Sequence, residues 1–222
     1  MNKKAFRADI LLLLTSIIWG FAFVAQRAGM EFVGPFTYNG IRFAIGSLSL
    51  IPLMTVRGAS QRRTLRRNGT GFQTEPGWKS YILGTLAAGT ALFLASSLQQ
   101  IGIISTTAGK AGFITGLYVV LVPILGIFLG QKTDIATWVG ALIAVTGLYV
   151  LSVAGNIGSI NSGDILIAFC ALFFAIHVLL IDRLVKRLDP IKLAAGQFAW
   201  CALGSLVVAI CRETIDSEAI RS

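Results

Sequence analysis

Charged side chains are scarce in this sequence. Only 13% of its 222 residues are Asp, Glu, Lys or Arg, and 55% are hydrophobic, whereas a soluble domain averages about 25% charged and about 45–50% apolar residues. A chain of this composition has too few polar residues to cover a water-soluble fold. The composition therefore excludes an ordinary soluble domain and indicates a protein that lies in a membrane.

Residues that carry soluble enzyme chemistry are scarce as well. The three cysteines, Cys170, Cys201 and Cys211, lie inside or at the end of apolar runs, and an odd number cannot form a complete disulfide framework. The single histidine has no cysteine or carboxylate nearby in sequence to complete a metal site, and neither a P-loop nor a G-x-S-x-G motif occurs. We therefore expect no catalytic residue, no metal and no cofactor, and interpret the protein as not being an enzyme.

The charge that is present is mostly basic. A net charge of +9 is typical of proteins that bind nucleic acid. Here, however, the basic residues form short clusters between long apolar runs and do not line one face of an amphipathic element. We therefore expect the lipid bilayer, and not nucleic acid, as the partner of this chain.

Seven stretches reach or approach the length that crosses a bilayer as a helix. A hydrocarbon core about 30 Å thick needs about 20 predominantly apolar residues of helix. The predicted fold class is therefore an all-α membrane protein, a polytopic helical bundle. The predicted spans are Ile10–Ala25, Phe36–Val56, Trp78–Leu98, Ile104–Gly130, Ala136–Ala154, Ile165–Ile181 and Ile191–Cys211.

The distribution of basic residues predicts the orientation of these spans. If the N-terminus is cytoplasmic, 14 Lys and Arg residues lie in inner segments or inner span ends and 4 lie outside. Cytoplasmic loops carry an excess of Lys and Arg, so this asymmetry favours a cytoplasmic N-terminus and seven crossings. We expect a multi-pass protein of the inner (plasma) membrane of a prokaryote.

The sequence also contains an internal repeat. A shift of 155 residues aligns the first two predicted spans with the sixth and seventh without a gap. Apolar matches are common between membrane helices, so the aligned aspartates and prolines carry most of the weight. The matched pairs are Asp9 and Asp164, Ile10 and Ile165, Leu11 and Leu166, Pro35 and Pro190, Phe43 and Phe198, Ala44 and Ala199, and Leu48 and Leu203.

One repeat unit then contains five spans, and an odd number reverses the orientation of the next unit. Such inverted repeats are characteristic of secondary transporters. We expect a first five-helix repeat over residues 8–154, the first two helices of a second repeat over 164–211, and an outer loop over 212–222. Two complete units need roughly 300 residues, so seven of ten expected helices are present and the chain is expected to be truncated after the seventh.

Several short motifs, in order and spacing, resemble the EamA-domain branch of the drug/metabolite transporter superfamily. The resemblance covers the whole chain and implies ten spans, two EamA domains, and export or uptake of metabolites. The absent final three spans depart from that pattern. The residues that carry the resemblance are Ile18-Trp19-Gly20 with Phe23, Arg42-Phe43, Thr106-Thr107-Ala108-Gly109 through Leu117-Tyr118 to Pro123, Phe128-Leu129-Gly130-Gln131, and Trp138-Val139-Gly140.

Arg42 is a candidate for the substrate pathway because it lies about six residues into the second predicted span. A charge inside a membrane helix is costly, although less so near its edge. Two interpretations stay open. Arg42 either reaches the outer headgroups or bonds neighbouring carbonyls in a structural role, or it binds an anion in a cavity.

The fourth predicted span has a polar face and a smooth face. Thr107, Lys110 and Tyr118 fall in one arc with Ile114, while glycines cluster opposite. The polar face is expected to border a cavity, with Lys110 either an interfacial anchor or a substrate contact. Two small-xxx-small pairs predict close helix packing: Gly112 with Gly116, and Gly126 with Gly130.

Four further residues are candidates. Pro123 cannot donate a backbone hydrogen bond and predicts either a gating hinge or a merely bent helix. Trp19 and Phe23 share one face of the first span and either line the pathway or pack against neighbours. His177, an ionisable group in the sixth span, is a pathway candidate or a simply hydrogen-bonded histidine.

No aspartate or glutamate is expected within a span, because Asp9 and Asp164 sit at span starts. This argues against a proton-coupled cation exporter of the small multidrug type. The sequence thus favours a permease or exporter that moves small metabolites, such as amino acids, by alternating access. The substrate is unknown.

Three alternatives stay open: a seven-helix receptor, a membrane-embedded enzyme acting on lipid carriers, and a truncated, transport-inactive fragment. A half-built second repeat closes a symmetric pathway only if another chain completes it. A homodimer is one assembly that would do so.

Overall fold

The fold was obtained as a computed structural model, which describes residues 3–68, 77–153 and 160–213. All secondary structure in these ranges is helical. Beyond Glu213, the outer loop predicted for 212–222 lies outside the described residues, as does Ala154 at the end of the fifth predicted span. The helices are α1 (Lys3–Gly29), α2 (Pro35–Asn68), α3 (Trp78–Ile104), α4 (Ala108–Gly116), α5 (Tyr118–Phe128), α6 (Ile135–Val153), α7 (Ser162–Leu184) and α8 (Pro190–Arg212).

Six segments are long and apolar enough to cross a membrane, and α6 adds the shorter apolar stretch Ile135–Gly147. The predicted all-α membrane fold is confirmed. The second apolar segment ends at Arg57, in agreement with the predicted span end at Val56, although α2 continues as a helix to Asn68. The six segments are Ile10–Gly29, Pro35–Arg57, Trp78–Ile104, Ala108–Phe128, Ser162–Leu184 and Pro190–Arg212.

The fourth predicted span, Ile104–Gly130, is wrong at its start. Helix α3 runs to Ile104, and Ser105–Thr107 is not helical. The next helix begins only after Thr107, whose side chain accepts a hydrogen bond from the Lys110 backbone N–H at 3.2 Å. Threonine is a favoured N-cap because its oxygen satisfies a backbone donor at the first turn, and apolar content alone does not reveal such a boundary.

The same span is interrupted at Leu117, between α4 and α5. The Leu117 N–H bonds the Ile114 carbonyl at 3.2 Å and the Val120 N–H bonds the Leu117 carbonyl at 3.0 Å, which are the three-residue steps of a tightened turn. Pro123 lies inside α5, six residues beyond the interruption. A gating role for Pro123 stays a prediction, and the interruption offers a second point at which this span could bend.

Helices α2 and α8 pack against each other in antiparallel order. Residues early in α2 lie beside residues late in α8: the position of a Cβ on Gly40 is 2.6 Å from Leu206, and that on Gly46 is 3.3 Å from Phe198. Ser47 Oγ donates to the Ala195 carbonyl at 3.0 Å. The two helices are the repeat partners of the sequence, and an antiparallel arrangement is what an inverted repeat requires.

The contact between α2 and α8 centres on a matched pair of residues. Phe43 and Phe198, which are 155 positions apart, pack with ring centroids 5.6 Å apart. In a protein built from two such repeats, a residue that touches its own repeat equivalent would lie close to the axis relating them. Around it lie buried Leu92, Cys201 and Ala202. One apolar cluster of the bundle is thus built around this matched pair.

Helix α3 crosses the middle of the bundle and approaches α7 closely through glycine. A Cβ on Gly163 would lie 2.5 Å from the Gly102 carbonyl oxygen, and one on Gly102 would lie 2.6 Å from Ile167. Small residues let membrane helices approach to backbone contact. Helix α1, by contrast, is peripheral, with 6% of its span buried, and near its end Phe23 and Met30 pack against the buried Ile103, Ala111 and Ile167.

The two ends of the bundle are fixed by helix caps. At one end, Glu213 accepts hydrogen bonds from Phe36 N at 2.7 Å, Thr37 N at 2.9 Å and Thr37 Oγ1 at 2.6 Å, so α8 caps the start of α2. At the other, Asp189 accepts from Ile191 N and Lys192 N and caps α8. Anionic side chains favour helix N-termini. We call these the Glu213 end and the Asp189 end.

Candidate functional site

Polar side chains are buried in the interior of the bundle around the last turns of α3. Ser96 and Gln100 have no exposed surface, and Gln99 retains 5%. Asn39 Nδ2 donates to the Ser96 carbonyl at 3.0 Å, Gln99 Nε2 donates to Thr115 Oγ1 at 3.2 Å, and Gln100 reaches the last turn of α1. This layer of amides and hydroxyls joins α1, α2, α3 and α4.

A buried ion pair closes the Glu213 end beside this layer. Lys110 Nζ lies 2.5 Å from Asp164 Oδ2, and the two side chains are 15% and 4% exposed. Asp164 also accepts from Thr106 Oγ1 at 2.8 Å and from Asn161 N at 2.9 Å. Asn161 in turn caps α7 through Asp164 N. Lys110 therefore has a structural partner, whereas the sequence left it without a local explanation.

His177 lies between α7 and α8, towards the Asp189 end. Its Nε2 donates to Gln197 Oε1 at 2.8 Å, and Gln197 is 6% exposed. One turn earlier on α7, Phe174 packs against Tyr118 with ring centroids 6.3 Å apart. Two predicted candidates thus lie near each other, because Tyr118 of α5 packs against α7 one turn before His177.

Arg42 lies between α2 and α8, close to Cys201. Its guanidinium carbon is 4.8 Å from the centroid of the Phe43 ring and 5.8 Å from that of Tyr38. Aromatic faces attract cations, more strongly when water is excluded. Within the described part of the chain no carboxylate lies within ion-pair distance of Arg42. The two aromatic rings are therefore the groups that the structure places against its charge.

The remaining predicted residues lie elsewhere. Trp19 is 49% exposed on the outside of α1, whereas Phe23 lies 3.7 Å from where a Cβ on Gly112 would be, at the contact of α1 with α4. The structure therefore does not gather the candidates into one site: Thr107 and Lys110 lie at the Glu213 end, Tyr118 and His177 deeper, and Arg42 on α2.

The predicted packing glycines have different surroundings. A Cβ on Gly126 would meet the Gln131 side chain at 2.8 Å, just past the end of its own helix. Gly130 has φ of 76° and nothing within 4 Å of a Cβ position, which is the left-handed geometry of a helix C-terminal turn. Its place is explained by that turn. Gly116 ends α4 at the interruption.

An open apolar cavity of about 630 Å³ lies on another side of the bundle, between α4, α5, α6 and α7. Its lining includes Leu121, Val145, Phe169 and Leu172. A cavity of this lining offers no hydrogen bonds to a polar metabolite. Among the described residues, no group of three or more His, Cys, Asp or Glu side chains could hold a metal ion.

Sequence reasoning missed the buried amides and Asp164. Asp164 begins a predicted span and does not stand out as an intramembrane charge, yet the turn at Ser105–Thr107 folds Lys110 back onto it. The signal for the amides was present, since Gln26, Asn39, Gln99 and Gln100 interrupt otherwise apolar runs. Neutral amides cost less in a membrane than charges do, so they stand out less in a search for ionisable groups.

The sequence matches the EamA-like transporter family over residues 6–153. An uncharacterized transporter of Archaeoglobus fulgidus is 33% identical over 198 residues, which cover 87% of this chain and 55% of that protein. The uncharacterized transporter YvbV of Bacillus subtilis is 26% identical over 92% of this chain and 62% of its own length.

The uncharacterized inner membrane transporter YedA of Escherichia coli is 24% identical over 86% of this chain and 58% of its own length. The chain therefore spans between half and two thirds of the length of these relatives. No solved structure matches the chain.

Proposed function

Since the chain belongs to the EamA-like transporter family, we propose that it moves small polar metabolites such as amino acids across the membrane by alternating access. Membership makes it a membrane transport protein. The proposal concerns the substrate class and the mechanism. It applies to a protein of the length that the relatives of this chain have.

The contact between α2 and α8 carries this proposal. Two antiparallel helices related by the 155-residue repeat meet at Phe43 and Phe198. In inverted-repeat transporters one unit rocks against the other around a site near the middle of the membrane. The aromatic contact lies where such a motion would pivot, and the side chains beside it are in position to meet a substrate.

The residues that flank this pair are polar in both units. Arg42 precedes Phe43, and its repeat equivalent Gln197 precedes Phe198 and holds His177. A polar residue inside a membrane protein is costly, so polar residues at both equivalent positions beside an apolar contact indicate a function. We assign Arg42 the recognition of a carboxylate, for which its planar fork of donors is well suited. The pair of Gln197 and His177 supplies a donor and an acceptor on the opposite unit.

The basic residues predict a cytoplasmic N-terminus, which makes the Glu213 end the outer end. Reporter fusions test this directly. A green fluorescent protein fused after Gly77 is expected to fluoresce, because it stays in the cytoplasm, and alkaline phosphatase fused after Asn161 is expected to be active outside. The opposite pattern at both positions would invert the assignment.

Transport is tested in cells that produce the protein, by following accumulation and efflux of a mixture of labelled amino acids against cells with an empty vector. The expected result is a changed distribution of at least one compound. In Arg42→Ala the change is expected to fall by about ten- to a hundredfold, the value of one charge-assisted hydrogen bond.

Arg57→Ala is the matched control, because Arg57 lies on the same helix and is exposed. It is expected to transport as the wild type does. Wild-type protein that reaches the membrane and leaves every compound distributed as in the vector control would contradict the proposal. Equal transport by both arginine variants would remove Arg42 from the pathway.

A further inference from the structure

Three buried amide oxygens have no hydrogen-bond partner among the described residues: Gln26 Oε1, Asn39 Oδ1 and Gln100 Oε1. They belong to three different helices, α1, α2 and α3. Gln26 is 4% exposed, and Asn39 and Gln100 are fully buried. Buried polar groups are nearly always bonded, so three such oxygens in one region require an explanation.

Rotating the amides does not remove the problem for two of them. Asn39 Nδ2 donates to the Ser96 backbone carbonyl at 3.0 Å, and Gln100 Nε2 donates to the Gln26 backbone carbonyl at 3.5 Å. A carbonyl oxygen only accepts, so Asn39 must present its nitrogen to Ser96, and the longer contact of Gln100 favours the same orientation. The amide oxygen of each residue then faces away from that partner and is buried.

These amides lie close together on the bundle. Asn39 bonds the carbonyl of Ser96, and Gln100 is one turn further along the same face of α3. Gln100 then reaches the last turn of α1, where Gln26 has a carbonyl that a helix end leaves without a partner. The three residues are thus linked through α3 where α1, α2 and α3 meet, towards the Glu213 end.

The chemistry of this cluster selects its ligand. Neutral amide oxygens accept hydrogen bonds or coordinate a hard cation, but none of the three residues is charged. A divalent ion is usually held by carboxylates, whereas rings of neutral carbonyl oxygens hold monovalent ions. A single water has two hydrogens and leaves one of three acceptors unpaired. An ammonium group has three donors and matches the count.

We infer that the buried amide oxygens of Gln26, Asn39 and Gln100 form a binding site for a small monovalent cationic group. Two sources supply such a group: a sodium ion, or the ammonium group of the transported molecule. Only the second source rests on the proposed function. In that case the carboxylate of an amino acid would lie towards Arg42, which is three residues from Asn39 on α2.

The site is tested by binding to the purified protein, without transport. Thermal unfolding is followed in lipid nanodiscs. In one series, choline is replaced by sodium or by methylammonium at constant ionic strength. In another, glycine is added while the choline salt is kept fixed. Sodium or methylammonium is expected to raise the unfolding midpoint in a saturable manner and choline is not, because its methyl groups cover the nitrogen. A response to sodium alone identifies a metal-ion site, and a response to methylammonium and glycine identifies the amino group of a substrate.

Isosteric variants assign the response to the oxygens. Gln100→Met and Asn39→Leu keep the approximate volume and remove the acceptor, and each is expected to weaken apparent affinity by about ten- to a hundredfold. Gln99→Met is the matched control, since Gln99 lies on the adjacent face and bonds Thr115. It is expected to bind as the wild type does.

Binding of radioactive sodium or labelled methylamine to the wild-type protein provides a measurement that needs no variant. No saturable binding of either probe to folded protein would overturn the inference and leave water as the occupant. Equal weakening in Gln99→Met and Gln100→Met would also overturn it. This experiment measures binding alone, and transport is measured separately. Cation binding without transport supports this inference and contradicts the proposed function, and transport without cation binding does the reverse.

Discussion

Two lysine–aspartate ion pairs lie at opposite ends of the bundle and differ in their surroundings. Lys110 and Asp164 join α4 to α7 across 54 positions of sequence, and their side chains are 15% and 4% exposed. Lys186 and Asp182 are four residues apart at the end of α7 and are 65% and 47% exposed. The comparison shows that burial and sequence separation, and not residue type, decide what an ion pair does for the fold.

The physical reason is the state left when one partner is removed. A buried charge that loses its counter-ion keeps its desolvation cost, so breaking such a pair destabilises a protein by about 3–5 kcal/mol. An exposed charge returns to water, and exposed helix pairs contribute only about 0.3–0.5 kcal/mol. Loss of one partner is therefore expected to destabilise the Glu213 end much more than the Asp189 end.

The largest expected effect is that of Lys110→Met. The carboxylate of Asp164 would stay buried with the Thr106 hydroxyl and the Asn161 backbone N–H as its donors, and we expect a loss of about 3–5 kcal/mol. The measurement is the fraction of protein that remains monodisperse after heating, compared with the wild type. The double variant Lys110→Met with Asp164→Asn is expected to be more stable than Lys110→Met alone, because the unpaired charge is gone. A double variant that loses the sum of both single effects would contradict this account.

A second difference between the ends concerns backbone approach. A Cβ on Gly163 would lie 2.5 Å from a backbone oxygen of Gly102, which cannot move without shifting α3. A Cβ on Gly84, near the Asp189 end, would lie 2.8 Å from the tip of the flexible Leu188 side chain. We expect Gly163→Ala to cost about 1–3 kcal/mol by overpacking and Gly84→Ala to cost less. The same heating assay ranks them, and the reverse order would show that α3 and α7 are free to separate.

The helix caps give a smaller effect. Glu213 bonds three donors at the start of another helix, whereas Asp189 caps only its own helix. Glu213→Ala is expected to cost about 1.5–3 kcal/mol, the value of hydrogen bonds to a charged group, and Asp189→Ala about 1 kcal/mol. Both are measured by thermal unfolding. Equal costs would mean that the link between α8 and α2 adds nothing to local capping.

Apolar length predicted the order and approximate position of the membrane helices, although the fourth predicted span consists of two helices, α4 and α5. Each span must satisfy its own backbone within the membrane, so a long apolar run has few alternatives to a helix. The matched starts of α2 and α8 were visible in the sequence, because Pro35 and Pro190 are aligned by the 155-residue shift and begin these helices. These features are local or periodic, and a single sequence carries them.

The interior was less predictable because its contacts are not local. Lys110 and Asp164, or Gln100 and Gln26, are brought together only by turns whose geometry depends on the whole bundle. The break at Leu117 likewise depends on how α4 and α5 pack separately on α7. A sequence ranks ionisable residues by their cost in the membrane, which is why Arg42 and His177 are candidates from sequence and the neutral amides are not.

The smallest expected effect concerns the exposed pair and gives the sharpest form of the comparison. Lys186→Gln removes one charge and is expected to change stability by about 0.5 kcal/mol or less. Added salt should abolish even this difference, since exposed charges are screened over about 8 Å at physiological ionic strength. The cost of Lys110→Met should persist in the same salt, because its site excludes the screening ions. Thermal unfolding of both variants across a salt series checks this, and parallel salt dependence would mean that the Lys110–Asp164 pair is open to solvent.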